Sequence, residues 1–171
     1  RRIEVDDDFW MGRTEVTVAQ FGYFCKQTGY ETTAGKQGWS WHWDHVRQEW
    51  VKKKKQTFRN PGYPYEPQPG FPVTCVSRDD AVAFCKWLTA AERQAGRLPD
   101  DLVYRLPSEV EWEYACRANQ PKHPPFWWGD QWSAAAARVN VRDRTTVNMS
   151  EGIFWHNPAP WHDDWSYAAP A

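Results

Sequence analysis

Three short stretches share one device, and that device constrains the fold more than any other feature. Thr17-Val18-Ala19-Gln20, Ser77-Arg78-Asp79-Asp80 and Ser108-Glu109-Val110-Glu111 each pair a hydroxyl residue with an acid or amide three positions on. Such a capping box satisfies donors that the first turn of a helix would otherwise leave unpaired. Behind the first box, Phe21, Phe24 and Cys25 share a helical face, and Gly29 is a natural stop. Behind the second, Ala81, Phe84, Cys85 and Leu88 recur at helical spacing until Gly96. Behind the third, Trp112 and Cys116 lie one turn apart. The spacing predicts three helices, over 17–29, 77–96 and 108–116.

Between these helices no period is sustained. Short apolar or alternating runs predict strands at Ile3–Met11, Phe71–Val76 and Leu102–Leu106. Residues 30–70 and 119–171 read as long loops. Loops of that length are uncommon without a reason to be ordered, and composition supplies one: 13 Trp and 13 Pro among 171 residues. Large rings whose N–H groups reach loop carbonyls pin irregular chain onto a small core. The expectation is a loop-rich α+β fold in one domain over 1–171, with about three helices and few short strands.

Charge excludes other classes. A formal net charge of −1 gives no field that would draw the chain to nucleic acid. The single basic run, Lys52–Lys55, reads as a solvated loop face. No apolar stretch approaches the roughly 18 residues that a membrane span requires.

Cys25, Cys75, Cys85 and Cys116 form no C-x-x-C pair, so a zinc knuckle is not expected, and spacing alone assigns no disulfides. Cysteine usage is compatible with a reducing or an oxidising compartment; a secreted or periplasmic setting is preferred to the cytoplasm. His42, His45, His123, His156 and His162 sit beside Trp or Pro and read as loop-packing residues. Glu109, Glu111 and Glu113 follow Arg105 at a helix start, where carboxylates complement the dipole. They read as a folding signature in which Trp112 and Tyr114 face different sides, one free to anchor the core and the other a loop.

Four ordered blocks carry a resemblance. Phe9-Trp10-Met11-Gly12-Arg13-Thr14-Glu15-Val16-Thr17 is similar to F-x-M-G-x-x-E-V-T. Phe71-Pro72-Val73-Thr74-Cys75-Val76-Ser77 with Asp79-Asp80-Ala81 resembles P-V-x-x-V-S-W-x-D-A, with Arg78 in place of the Trp. The run from Arg105 to Ala115 resembles R-L-P-T-E-A-E-W-E-Y-A, and Phe126-Trp127-Trp128-Gly129-Asp130 resembles F-P-W-G-D. In this order and spacing they identify the chain as resembling the N-terminal portion of the formylglycine-generating-enzyme (sulfatase-modifying factor) domain.

The resemblance implies a C-type-lectin-like fold of the formylglycine-generating type. It implies a structural calcium ion held by side-chain oxygens of Asn140 and Asp163 and backbone carbonyls of Val141 and Trp165. Hard oxygen ligands of that kind order a loop that lacks ladder hydrogen bonds. Cys85 and Cys116 align with positions that form disulfides to C-terminal cysteines in some members.

The activity implied is oxidation of a target sulfatase's cysteine to formylglycine with oxygen and copper. The family's copper(I)-binding cysteines follow a G-N-V-W-E-W block, and none of the four cysteines here aligns with them, so no catalytic residue is carried over. The run ending Ala168-Ala169-Pro170-Ala171 resembles the stretch leading into that block, and the domain is expected to be incomplete at its C-terminus. Copper is expected only with that further part. Some Trp should then be exposed, and a second chain or segment could cover them. The alternative is a non-catalytic binding or assembly module, since fold does not fix function. A third branch, sulfoxide synthesis on non-haem iron, is disfavoured because no H-x-x-x-H-x-E motif is present.

Overall fold

A computed structural model describes residues 8–44, 47–63, 65–117, 124, 126–131, 133 and 159. It contains helices α1 (Val18–Thr28), α2 (Thr33–Gln37), α3 (Arg78–Gln94) and α4 (Glu109–Cys116), and strands β1 (Trp39–Asp44) and β2 (Glu49–Lys54). The chain divides into two compact units, one containing Thr14–Leu106 and the other containing the remaining described residues.

All three predicted helices form behind their predicted caps. Thr17, Ser77 and Ser108 are extended N-caps whose hydroxyls accept from the third helical N–H, with the reciprocal side-chain bond present each time. At α1 the two N–H groups the box leaves over are also used. Val18 N–H donates to the Phe71 carbonyl at 2.8 Å, and Ala19 N–H to that of Pro69 at 3.0 Å.

The core of the larger unit lies between α1 and α3. Phe21, Phe24 and Cys25 of α1 meet Phe84 of α3 and Phe58 of the segment after β2. Phe21 is only 2% exposed. It meets Phe24 and Phe58 edge-on at 5.4 and 5.1 Å and stacks on Phe84 at 5.8 Å. Edge-on and offset contacts of this kind add to the energy of burial.

The loop expected over 30–70 proves partly regular. Thr32 caps α2, and Gly38 ends it at φ 74°, a left-handed conformation suited to glycine. β1 and β2 then pair antiparallel in the register Trp39↔Lys54, Trp41↔Lys52 and Trp43↔Trp50. Alternation puts these six residues on one face. Trp43 and Trp50 meet edge-on at 5.5 Å, and Lys52 Nζ lies 4.1 Å from the centre of the Trp39 ring. The Lys52–Lys55 run is therefore not a loop face. Its first three residues belong to β2, and Lys55 turns out of the strand at φ 63° while its N–H closes onto the Gly38 carbonyl.

The predicted strands fare differently. Residues 71–76 make a single bridge, Thr17↔Pro72, because Pro72 lacks the N–H that a ladder needs and Cys75 leaves the extended region at φ 57°. Residues 102–106 form no ladder. They are an extended strap tied to α3, where Thr89 Oγ1 accepts from Tyr104 N–H at 2.9 Å and Arg93 donates to the Asp100 and Leu102 carbonyls. Residues 8–11 form no strand, and the rest of the run from Ile3 lies outside the described residues.

In the smaller unit, α4 buries none of its residues. Trp112, expected as a possible core anchor, is 56% exposed. Glutamates at 109, 111 and 113 alternate with the apolar side chains, so α4 has no continuous apolar stripe. Tyr114 instead meets Phe9 edge-on at 6.2 Å.

Candidate functional site

A cleft of about 460 Å³ opens in the larger unit. The hairpin contributes Trp41, His42, Trp43 and Trp50; α2 contributes Thr33 and Gln37; Thr74–Ser77 and Tyr63 complete much of the boundary. Among the described residues the lining contains no Asp, Glu, Lys or Arg. It is a neutral surface of indole and phenol rings interrupted by hydroxyl and amide groups, suited to orienting a ligand by a few hydrogen bonds while most of its area rests on apolar atoms.

Local geometry fixes several of these groups. The Tyr63 hydroxyl donates to Thr74 Oγ1 at 3.1 Å, and Gln56 Nε2 lies 3.5 Å from His42 Nδ1. Cys75 lines the cleft from a left-handed backbone conformation (φ 57°), uncommon for a residue with a side chain.

Beneath the cleft, Asp80 is 0% exposed. Its Oδ1 accepts from Thr33 N–H at 2.9 Å, Tyr30 O–H at 3.0 Å and Thr33 O–H at 3.1 Å, while Oδ2 accepts from Ser77 N–H at 2.8 Å. Burial pushes this carboxyl's pKa up, but donors from Ser77, Thr33 and Tyr30 outweigh it and hold the group below its ordinary range. The same arrangement acts oppositely on Tyr30. Burial, then the bond to Asp80 and its negative charge, push the phenol up to about 12. Burial raises the Cys25 and Cys85 thiols, with Arg59 partly opposing it at Cys25. All four cysteines are free.

The calcium ligands implied for Asn140, Val141, Asp163 and Trp165 lie outside the described residues, as do His45, His123, His156 and His162. Among the described residues no three His, Cys, Asp or Glu side chains gather in a metal-binding group, and no helix is long and apolar enough to cross a membrane. The Glu signature is structural where it is seen: Glu111 closes the Ser108 box and Glu113 pairs with Arg117. The cleft was not foreseen from sequence. Its signal was the strict alternation Trp39-x-Trp41-x-Trp43, a period-2 pattern inside a segment otherwise punctuated by Gly and Pro.

The four blocks and the capped α+β scaffold point to one domain family, and comparison agrees. A family model for the sulfatase-modifying factor enzyme 1-like domain matches residues 1–159, and the chain belongs to that family. Among similar curated proteins, the formylglycine-generating enzyme of Bos taurus is 34% identical over 149 residues, covering 77% of this chain and 36% of that protein. The formylglycine-generating enzyme of Thermomonospora curvata is 32% identical, covering 91% of this chain and 48% of that protein. The inactive C-alpha-formylglycine-generating enzyme 2 of Bos taurus is 29% identical, covering 68% and 40%. The chain thus spans between about a third and a half of the length of these relatives.

Proposed function

We propose that the chain is the scaffold part of a copper- and oxygen-dependent formylglycine-generating oxidase that converts a cysteine of a target sulfatase to formylglycine. The observation that carries this reading is the family match over residues 1–159, supported by relatives named for that activity at 32–34% identity. In this reading the domain over 1–171 has a C-type-lectin-like fold, and Cys25, Cys75, Cys85 and Cys116 supply no copper ligand. Copper would be held by cysteines outside this sequence, where soft thiolates suit copper(I). The protein acts in a secreted or periplasmic setting, and a second chain or segment covers exposed rings such as Trp10 and Trp112.

The test is formylglycine formation from a Cys-x-Pro-x-Arg peptide by the full-length gene product loaded with copper, with oxygen uptake followed in parallel. The full-length protein converts the peptide and the 171 residues alone do not; no conversion by the former refutes the oxidase, and conversion by the latter refutes the scaffold assignment. A structural calcium on Asn140, Val141, Asp163 and Trp165 is checked separately by melting the protein with and without a chelator. A lower Tm with chelator is expected, and an unchanged one counts against the ion.

A further inference from the structure

Asp80 buries a full charge among neutral donors, an arrangement that is costly unless every hydrogen-bonding position is used. Its two oxygens work on different segments. Oδ1 holds Tyr30 and both the N–H and O–H of Thr33, the first residue of α2, while Oδ2 holds the N–H of Ser77, the N-cap of α3. Thr33 and Ser77 are also lining residues of the cleft, and their hydroxyls meet at 2.8 Å. With the Thr33 proton given to Asp80, the Ser77 hydroxyl donates to Thr33 Oγ1 and accepts from Asp80 N–H at 3.1 Å. Four of the hydrogen bonds at this junction end on the carboxylate, and the Thr33 and Ser77 hydroxyls bond to each other beside it.

The Phe21–Phe24–Phe84 core does not depend on it in the same way, because its rings hold one another by direct packing. We propose that Asp80 is a positioning residue for the cleft: its carboxylate clamps α2 to the Thr74–Ser77 segment, and losing one carboxylate oxygen frees α2 while the aromatic core stays closed. The titratable groups around the clamp are Tyr30, Cys25 of α1, Asp79 of α3 and, over the Tyr30 ring, Lys36 of α2.

The native cysteines report the two regions separately, since Cys75 lines the cleft and Cys25 is buried in the core. Asp80→Asn turns one acceptor oxygen into a donor. Losing one charge-assisted bond of this kind favours local opening by about tenfold or more. Alkylation by iodoacetamide, followed peptide by peptide, should therefore quicken about tenfold at Cys75 and stay unchanged at Cys25. The Tyr30 phenol should also titrate closer to its ordinary range. Thr33→Val, which keeps the N–H and loses the O–H, should quicken Cys75 about threefold with Cys25 again unchanged, and it decides the matter if Asp80→Asn does not fold. An unchanged Cys75 rate in a folded Asp80→Asn protein, or Cys75 and Cys25 quickening together in Thr33→Val, overturns the clamp.

Discussion

Replacing Phe21 by alanine tests the account of the core most directly. The side chain is 2% exposed and touches three other rings, those of Phe24, Phe58 and Phe84. Truncating a buried Phe loses its transfer free energy and leaves a cavity, together about 3–5 kcal/mol. The tightly interlocked aromatic neighbours have little freedom to collapse into the gap, which places this site toward the upper part of that range. Whole-domain stability is about 5–15 kcal/mol, so a quarter or more of it rests on one ring. With a urea slope of about 2 kcal/mol/M the midpoint should fall by about 2 M. The assay is urea unfolding followed by tryptophan fluorescence and far-UV circular dichroism, whose transitions must coincide for the arithmetic to apply. Trp50→Ala is the control: this ring is 63% exposed and its loss should cost less than about 1 kcal/mol. A Phe21→Ala midpoint within about 0.5 M of the Trp50→Ala value would refute the placement of the core.

The buried carboxylate gives a second prediction, through pH. Because the folded pKa of Asp80 is lowered, its contribution is fully present above the unfolded value of about 3.9 and is lost as pH falls through the folded one. The stability gap between wild type and Asp80→Asn should narrow on acidification, and a pH-independent gap would sink the idea. Tyr30 has the opposite sign: its contribution is present below pH 10 and disappears as pH rises through about 12, visible as one late phenol in an ultraviolet titration. A third prediction concerns Gly62, at φ 85°, where an added Cβ would stand 1.9 Å from Gln56 Nε2. Gly62→Ala should lower stability by at least about 1–2 kcal/mol, the cost of backbone strain alone, and an unchanged Tm would contradict the left-handed backbone at this turn.

The helices were legible because their signals are local. A hydroxyl and an acid or amide three residues apart announce a helix start without reference to the rest of the molecule, and Thr17, Ser77 and Ser108 all did so. The hairpin was obscured because its chain reversals are unusual: Gln48, before β2, and Lys55, just after it, take positive φ without glycine. Conversely, Leu102–Leu106 has strand composition, yet the Tyr104 N–H and the Leu102 carbonyl bond to the side chains of Thr89 and Arg93 on α3, partners that strand composition does not reveal. The cleft was hidden for the same reason. It needs Trp41 and Trp50 from the hairpin and Cys75 from a segment more than twenty residues on, brought together only by folding.

A two-stranded sheet is marginally stable in water on its own, and β1 and β2 form such a pair, with no further strand flanking them among the described residues. The helical side of the cleft is anchored through Asp80 and the Phe core, whereas the tryptophan side rests on cross-strand contacts and a few single bonds, from Lys55 to Gly38, from Gln37 to Trp39 and between Gln56 and His42. Backbone amides of the hairpin should therefore exchange with solvent through local openings far more frequent than global unfolding. The cleft has one stiff wall and one compliant wall. A molecule entering it would be shaped by the first while reshaping the second, and part of its binding free energy would go into stilling the tryptophans.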